Sequence, residues 1–376
     1  MSLPLDGILV VSMEQAVAGP FCSNRLKQSG ARVIKIERKG GGDFARGYDT
    51  AAEGESSYFI WLNQGKESIA LDLKTKEDRS IFLNMIAKAD IFIQNFSPTT
   101  VTKLNIDPSS LKSINPRLIC CDISGYGETP EMMTKKSYDL LIQAESGLID
   151  VSGSPEGLGR IGVSICDIGA GMAAHAGIVE SLLLRERFNK VKDVKISLFD
   201  VAADWMTVPY IHSKYGGAAP KRVGLKHPSI APYGAFRCSE NTSFIISIQN
   251  ESEWKRFCVE VLKSPALAKE NKFSSNTLRV KNRDLLDETI QSILSSLNDK
   301  TLKNRLEEAS IAYGRLNTVK DLETHLALKK VSVRTSLDNS LTIPSPPLIW
   351  ENSEKKAPKF NQHNEQLRAE FNETKK

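Results

Sequence analysis

The residues best suited to do chemistry in this chain lie in one run, Gly162-Val163-Ser164-Ile165-Cys166-Asp167-Ile168-Gly169-Ala170-Gly171. It sets one carboxylate, Asp167, among apolar and very small residues. Ile168, Met172, Val179, Leu182 and Leu183 then mark the apolar face of a helix. Gly169, Ala170, Gly171, Ala173, Ala174, Ala176 and Gly177 crowd its first half, where a large ligand or another backbone can come close. Two roles stand open for Asp167. It is a favoured N-cap type, whose oxygen accepts a first-turn N–H. It is also a candidate reactive acid, and the helix dipole holds a carboxylate ionised in either role.

Other chemistries fit less well. Gly162-Val163-Ser164-Ile165-Cys166 would be a nucleophile elbow only with Gly in place of Cys166. His175 lies eight residues further along the same helix, about 12 Å away, and reads as a packed or surface histidine. His175, His212, His227, His325 and His363 form no pair at ligand spacing, so no metal is expected. Glu37 ends a strand where dinucleotide folds place a ribose-gripping acid. The first turn, Ser12-Met13-Glu14-Gln15-Ala16-Val17-Ala18-Gly19-Pro20, has one glycine and not the three of that fingerprint, which argues against NAD. Gly40-Gly41-Gly42, a turn beside Lys35, Arg38 and Lys39, could instead hold phosphates.

The elements that must carry these residues alternate in type. Strands are expected at Ile8 to Ser12, Arg32 to Glu37, Ser68 to Leu73, Asp90 to Asn95, Arg117 to Ile123 and Val194 to Phe199. Helices are expected at Pro20 to Gln28, around Ile81-Phe82-Met85-Ile86, at Tyr138 to Gly147 and at Ile168 to Arg185. This order predicts an α/β fold with a mostly parallel, doubly wound sheet over residues 1–213. Tyr215-Gly216-Gly217-Ala218-Ala219-Pro220 reads as a linker to a smaller α+β domain over 214–329. The polar, Lys-rich stretch after Pro347 reads as extended or partly mobile.

Composition narrows the partners. Fifty basic residues against forty-five acidic give a net charge of +5, and no long basic run interleaves with aromatics. Nucleic acid is not an expected partner, whereas a small anion suits a mild positive excess. No stretch approaches about 18 consecutive apolar residues, so no membrane span is expected. The opening residues lack a basic region before an apolar core, so no secretory signal is expected. Cys22, Cys120, Cys121, Cys166, Cys238 and Cys258 form no C-x-x-C and read as reduced core thiols, pointing to the cytoplasm or an organelle matrix.

Several separated motifs, in order, carry a resemblance. Glu14-Gln15-Ala16-Val17-Ala18-Gly19-Pro20-Phe21-Cys22, Val33-Ile34-Lys35-Ile36-Glu37-Arg38, Asn63 to Leu73, Gln94-Asn95-Phe96, Ser124-Gly125-Tyr126-Gly127, Tyr138-Asp139-Leu140-Leu141-Ile142-Gln143 and the Asp167 run resemble the class III CoA-transferase family, the CaiB/BaiF type. The resemblance implies a Rossmann-like large domain completed by about residues 330–376, and a homodimer of interlocked chains. It implies coenzyme A, carried as acyl-CoA, as co-substrate, and Asp167 as the catalytic aspartate. The CoA contacts it implies are Val17, Ala18, Arg38, Leu71, Asp72, Leu73, Lys74, Asn95, Phe96, Lys103, Lys135, Lys136, Ser137 and Tyr138.

Departures bear on the substrate. Val17 stands where formyl-CoA transferase has a glutamine, Tyr48 where it has a tryptophan, and Asp139 where it has a glutamate, and its glycine-rich loop has no clear counterpart. These argue against a formyl or oxalate specificity. The stretches Gly41 to Asp49 and Cys121 to Gly127 look most like enzymes of itaconate, mesaconate, citramalate, succinate or glutarate. A second carboxylate wants an Arg or His clamp, for which Arg46, Arg160, Arg222 and His227 are candidates, with Tyr48 and Asp139 beside the acyl group. An α-methylacyl-CoA racemase shares the fold. It needs a histidine at the start of the helix that begins Ser137-Tyr138-Asp139, where none stands. A CoA-binding scaffold without activity is the remaining alternative, and the retained Asp167 argues against it.

Overall fold

Short runs of Val, Ile, Phe and Cys, buried on both faces, build the central sheet. The computed structural model describes residues 2–240, 242–350 and 354–372. The strands are β1 (Leu9–Met13), β2 (Arg32–Glu37), β3 (Glu67–Ala70), β4 (Ile91–Gln94), β5 (Ile119–Ser124) and β6 (Val194–Ser197). Their spatial order is β3-β2-β1-β4-β5-β6, and every neighbouring pair is parallel. Both faces of a parallel sheet must be covered, so its strands read as continuous apolar runs without alternation.

Helices supply that cover. Val10, Ile91, Ile93, Ile119 and Cys121 share a core with Ala18, Cys22 and Leu26 of α1 (Ala18–Gln28). Farther along the chain come α2 (Lys76–Lys88), α3 (Asp139–Glu145) and α4 (Ile165–Phe188). Ala170, Ala174, Ile178 and Leu182 of α4 join the same core as α1. On the other face, Val11, Ile34 and Phe92 meet Ile81, Phe82, Met85 and Ile86 of α2.

Two expectations about elements change. Strand β6 stops at Ser197, whose side chain accepts from Asp200 N and caps α5 (Leu198–Trp205), so Phe199 is helical. The tail is not extended throughout. Lys355–Lys356 forms a strand beside Lys330–Arg334, and Asn364–Asn372 is a helix, α6. Leu367 and Phe371 of α6 are fully buried in the core over α2.

The chain divides into two compact units. The larger comprises Met1–Leu148, Arg160–Val208 and Lys329–Lys376; the smaller comprises Ile149–Gly159 and Pro209–Leu328. Within the smaller, strands Tyr233–Arg237, Ser243–Ser247 and Ala312–Arg315 form an antiparallel sheet. Helices carrying Trp254, Phe257, Ile290 and Leu302 share its core.

Candidate active site

Helix α4 begins at Ile165, and Ser164, at the N-cap, makes no side-chain capping bond. The cap comes from α3. Asp139 Oδ1 accepts from Cys166 N at 2.7 Å and from Asp167 N at 3.3 Å. Its Oδ2 accepts from Gln143 Nε2 at 2.7 Å, and Gln143 Oε1 accepts in turn from Ile161 N at 2.9 Å. Asp139 is therefore a buried cap and not an acyl-group contact. Asp167 sits in the first turn but is not its own helix's cap. Among the described residues its carboxylate has no hydrogen bond or ion pair.

That placement changes its electrostatics. Burial, and then the negative charge of Asp139, push the Asp167 carboxyl up to about 7. The first-turn amides that would favour its charge face Asp139 instead. Burial outweighs the dipole here, against the expectation of an ordinary ionised acid.

The small residues of α4 serve the protein's own packing. A Cβ on Gly171 would lie 2.7 Å from Ala18 O, and one on Gly169 would lie 2.3 Å from the Trp205 ring. Gly177 lets Val194 approach in the same way. The backbone of α1 and the side chain of Trp205, more than a ligand, fill the room the sequence offered.

Where β1 and β4 diverge, the sheet's order reverses, the place where open α/β sheets bind ligands. The β1–α1 turn lies there. Asn95 pins it, accepting from Gln15 N at 2.9 Å and donating to Gln15 O at 2.8 Å. Ala16 adopts a left-handed φ of 61° and donates to Asp43 Oδ1 at 3.0 Å. Val17 and Ala18 are buried, Val17 packing with Phe21 and Leu62 against Ile168, the residue after Asp167.

Beneath this turn lies a buried set of charges that no sequence spacing announces. Lys66 Nζ reaches Glu14 Oε1 at 2.7 Å across 52 residues, and Lys35 Nζ reaches Asp43 Oδ2 at 2.9 Å. Burial brings the Lys66 ammonium down to about 8 although Glu14 opposes the shift. Lys35, fully buried, cannot hold a phosphate, and Lys39 pairs with Asp78 at 2.6 Å. Arg46 is likewise committed. Its guanidinium grips Glu37 in two hydrogen bonds of 2.8 Å and lies 3.7 Å over the Phe59 ring, so it is a structural group and not a substrate clamp. Glu37 has no free oxygen for a ribose: Arg46 Nη2 and Ser68 Oγ donate to Oε1, and Arg46 Nε and Asp43 N donate to Oε2.

The remaining candidates divide by exposure. Arg38, Lys74, Lys103 and Lys136 are exposed, and Arg38 Nε donates to Gly42 O. Lys135 pairs with Glu145 and lies over the Tyr126 ring. Leu71 is buried, while Leu73 and Phe96 pack against the core and Asp72 accepts from Lys74 N. Ser137 packs against Gly125, and Tyr138 is 62% exposed. Tyr48 sits edge-on to Tyr58 at 5.5 Å, and burial, then Asp43 and Asp167, push its hydroxyl up to about 12, so it stays a donor. In the smaller unit, His227 stacks on Tyr233 at 5.2 Å and accepts from Ser229 N, while Arg222 bonds Asp150 and Ser154. Arg160 remains exposed.

The sequence model of CoA-transferase family III matches residues 5–364. An acetyl-CoA:oxalate CoA-transferase of Acetobacter aceti is 33% identical over 98% of this chain and 96% of its own. A succinate–glutarate CoA-transferase of Agrobacterium fabrum is 28% identical over the same shares, 98% and 96%. A CaiB/BaiF family protein of known structure from Brucella suis superposes with a TM-score of 0.84 at 31% identity, over 99% of this chain and 100% of that one.

Proposed function

The chain belongs to CoA-transferase family III and is an enzyme of that class. From that premise we propose that it moves CoA from an acyl-CoA, such as succinyl-CoA, to a small dicarboxylic acid through an aspartyl-CoA thioester at Asp167. The carrying observation is the Asp167 carboxylate itself: partly buried, unpaired, and in the first turn of α4.

The chemistry needs no redox partner and no net proton. Ionised Asp167 attacks the donor thioester carbonyl; the C–S bond breaks, and CoA thiolate leaves a mixed anhydride. The thiolate then attacks the Asp167 carbonyl carbon and expels the donor acid as its carboxylate. The acceptor carboxylate repeats both steps in reverse and restores Asp167. A carboxylate is a weak nucleophile. Holding it in register supplies an effective molarity of about 10⁵–10⁸ M. Partial desolvation strengthens it further.

The names of the relatives support oxalate, succinate and glutarate as the acid class. Oxalate thus stays a candidate despite the Val17 and Tyr48 departures. Arg160, exposed, takes the role of second-carboxylate clamp, and Arg38, Lys74, Lys103 and Lys136 that of phosphate partners. We assign a homodimer of interlocked chains, for which the exposed apolar stripe Met172, Val179 and Leu183 on α4 gives a surface. Six buried free thiols suit a reducing compartment.

The test is covalent trapping. Protein incubated with succinyl-CoA is treated with hydroxylamine or borohydride and mapped by mass spectrometry, with modification expected at Asp167. Asp167→Asn should lose transfer at least 10³-fold while CoA still binds. Turnover retained by that variant overturns the mechanism.

A further inference from the structure

We propose that Asp139 is a positioning residue for acyl transfer, acting through Asp167: its carboxylate replaces the missing cap of α4, and its charge makes the Asp167 carboxylate a stronger nucleophile. This rests on the reading of Asp167 as the attacking group.

Three features of the geometry carry it. First, Asp139 is buried, and donors meet it: Cys166 N, Asp167 N, Gln143 Nε2 and the Cys166 thiol. Four donors and no acceptor are the surroundings of a carboxylate, not of a carboxylic acid. Second, no cation among the described residues forms an ion pair with it, so amide and thiol dipoles alone offset its charge beside Asp167. Third, Gln143 ties Ile161 N to Asp139, and Asp139 ties α4's first turn. Both ends of the loop from Ile161 to Cys166 are thus fastened to α3, and Asp167 inherits their rigidity.

The charge argument needs a survey of what else faces Asp167. Element α3 contributes Asp139, and the turn Phe44–Gly47 leads into Tyr48, a neutral donor. The Cys166 thiol lies beside it, held protonated by burial and by both acids. Helix α1 sends Arg25 toward His175, two turns further along α4. Helix α5 places Asp200 and Asp204, with Lys195 of β6, around a groove of about 470 Å³ beside Gly169 and Met172. Asp139 is the charge that acts on Asp167 directly. A like charge disfavours ionisation, and a more basic carboxylate donates its electron pair more readily.

A reciprocal exchange separates charge from scaffold. In Asp139→Asn/Gln143→Glu, the new amide carbonyl keeps the bonds from Cys166 N and Asp167 N. Its NH₂ donates to the new carboxylate, which still accepts from Ile161 N. Those four bonds survive, only the 3.3 Å bond from Gln143 Nε2 to Ile161 O is lost, and the negative charge moves to position 143. The readouts are the pH profile of kcat/KM between pH 5.5 and 9, where at least one carboxylate of a dicarboxylate acceptor is already ionised, and adduct trapping with succinyl-CoA.

The acid limb is expected to fall by about one pH unit in the exchanged variant, with the plateau kcat reduced several-fold and the Asp167 adduct still formed. Asp139→Glu, which keeps the charge, should leave the acid limb near its original pH. An adduct in both proteins with an unmoved acid limb overturns the role of Asp139 and leaves the nucleophile standing. No adduct in the unmodified protein overturns the nucleophile reading, and this inference with it.

Discussion

Glu37 and Asp167 are both carboxylates withdrawn from water, yet their protonation moves in opposite directions. Burial raises each, but Arg46, Lys35 and Ser68 surround Glu37 and bring it down to about 2. Among the described residues no cation pairs with Asp167, and burial and Asp139 raise it to about 7. The consequence for stability has a definite sign. Between about pH 4 and 7 the folded chain holds a proton on Asp167 that the unfolded chain releases, so stability falls as pH rises through that window. Asp167→Asn removes the penalty. It should be about 1–3 kcal/mol more stable than the parent above pH 7, a figure discounted for partial exposure, and no more stable near pH 4. Urea midpoints at the two pH values measure this. The same unpaired carboxylate that we propose as nucleophile thus weakens the fold. The neighbours of Asp167 in the chain singled it out and left two roles open, cap or reactive acid; its unpaired state was not legible there, because what it lacks is a partner from elsewhere.

Helices α1 and α4 meet backbone to side chain, and the glycines show where. At Gly171 a methyl group would sit 2.7 Å from the Ala18 carbonyl oxygen, which is main chain and cannot swing aside. Gly171→Ala should therefore cost about 1–3 kcal/mol, although the same change in an open helix would stabilise. A methyl group on Gly162 meets nothing within 4 Å. Gly162→Ala serves as the contrasting control, and the pair is compared by chemical denaturation with m-values checked. The density of small residues after Asp167 was visible in the sequence. Whether they faced a ligand or another helix depended on the path of α1, some 150 residues earlier in the chain.

Completion of the larger unit depends on residues from the far end of the chain. Leu367 and Phe371 of α6 fill the core over α2, and Arg32 joins Glu370 while Arg368 joins Asp78. The two buried side chains contribute about 3–6 kcal/mol together, the partly exposed ion pairs much less. Truncation after Gln362 should lower the melting temperature and speed amide exchange in α2, at Phe82, Met85 and Ile86. Unchanged exchange there would refute a stabilising role for α6. The tail's polarity had suggested an extended strand of chain; two apolar residues four apart, Leu367 and Phe371, were the signal of a docked helix face.

The order of strands and helices and the parallel sheet were written in local features: apolar runs of strand length and helical periodicity. Those depend on neighbours within a turn or two, so sequence alone determined them. Which charges stay free was decided only by the tertiary structure. Glu14 finds Lys66, Glu37 finds Arg46 and Asp139 finds the first turn of α4 through contacts that carry no spacing rule. Burial then sets the energy of each charge by the dielectric and the partners around it, quantities that exist only once distant segments have been brought together.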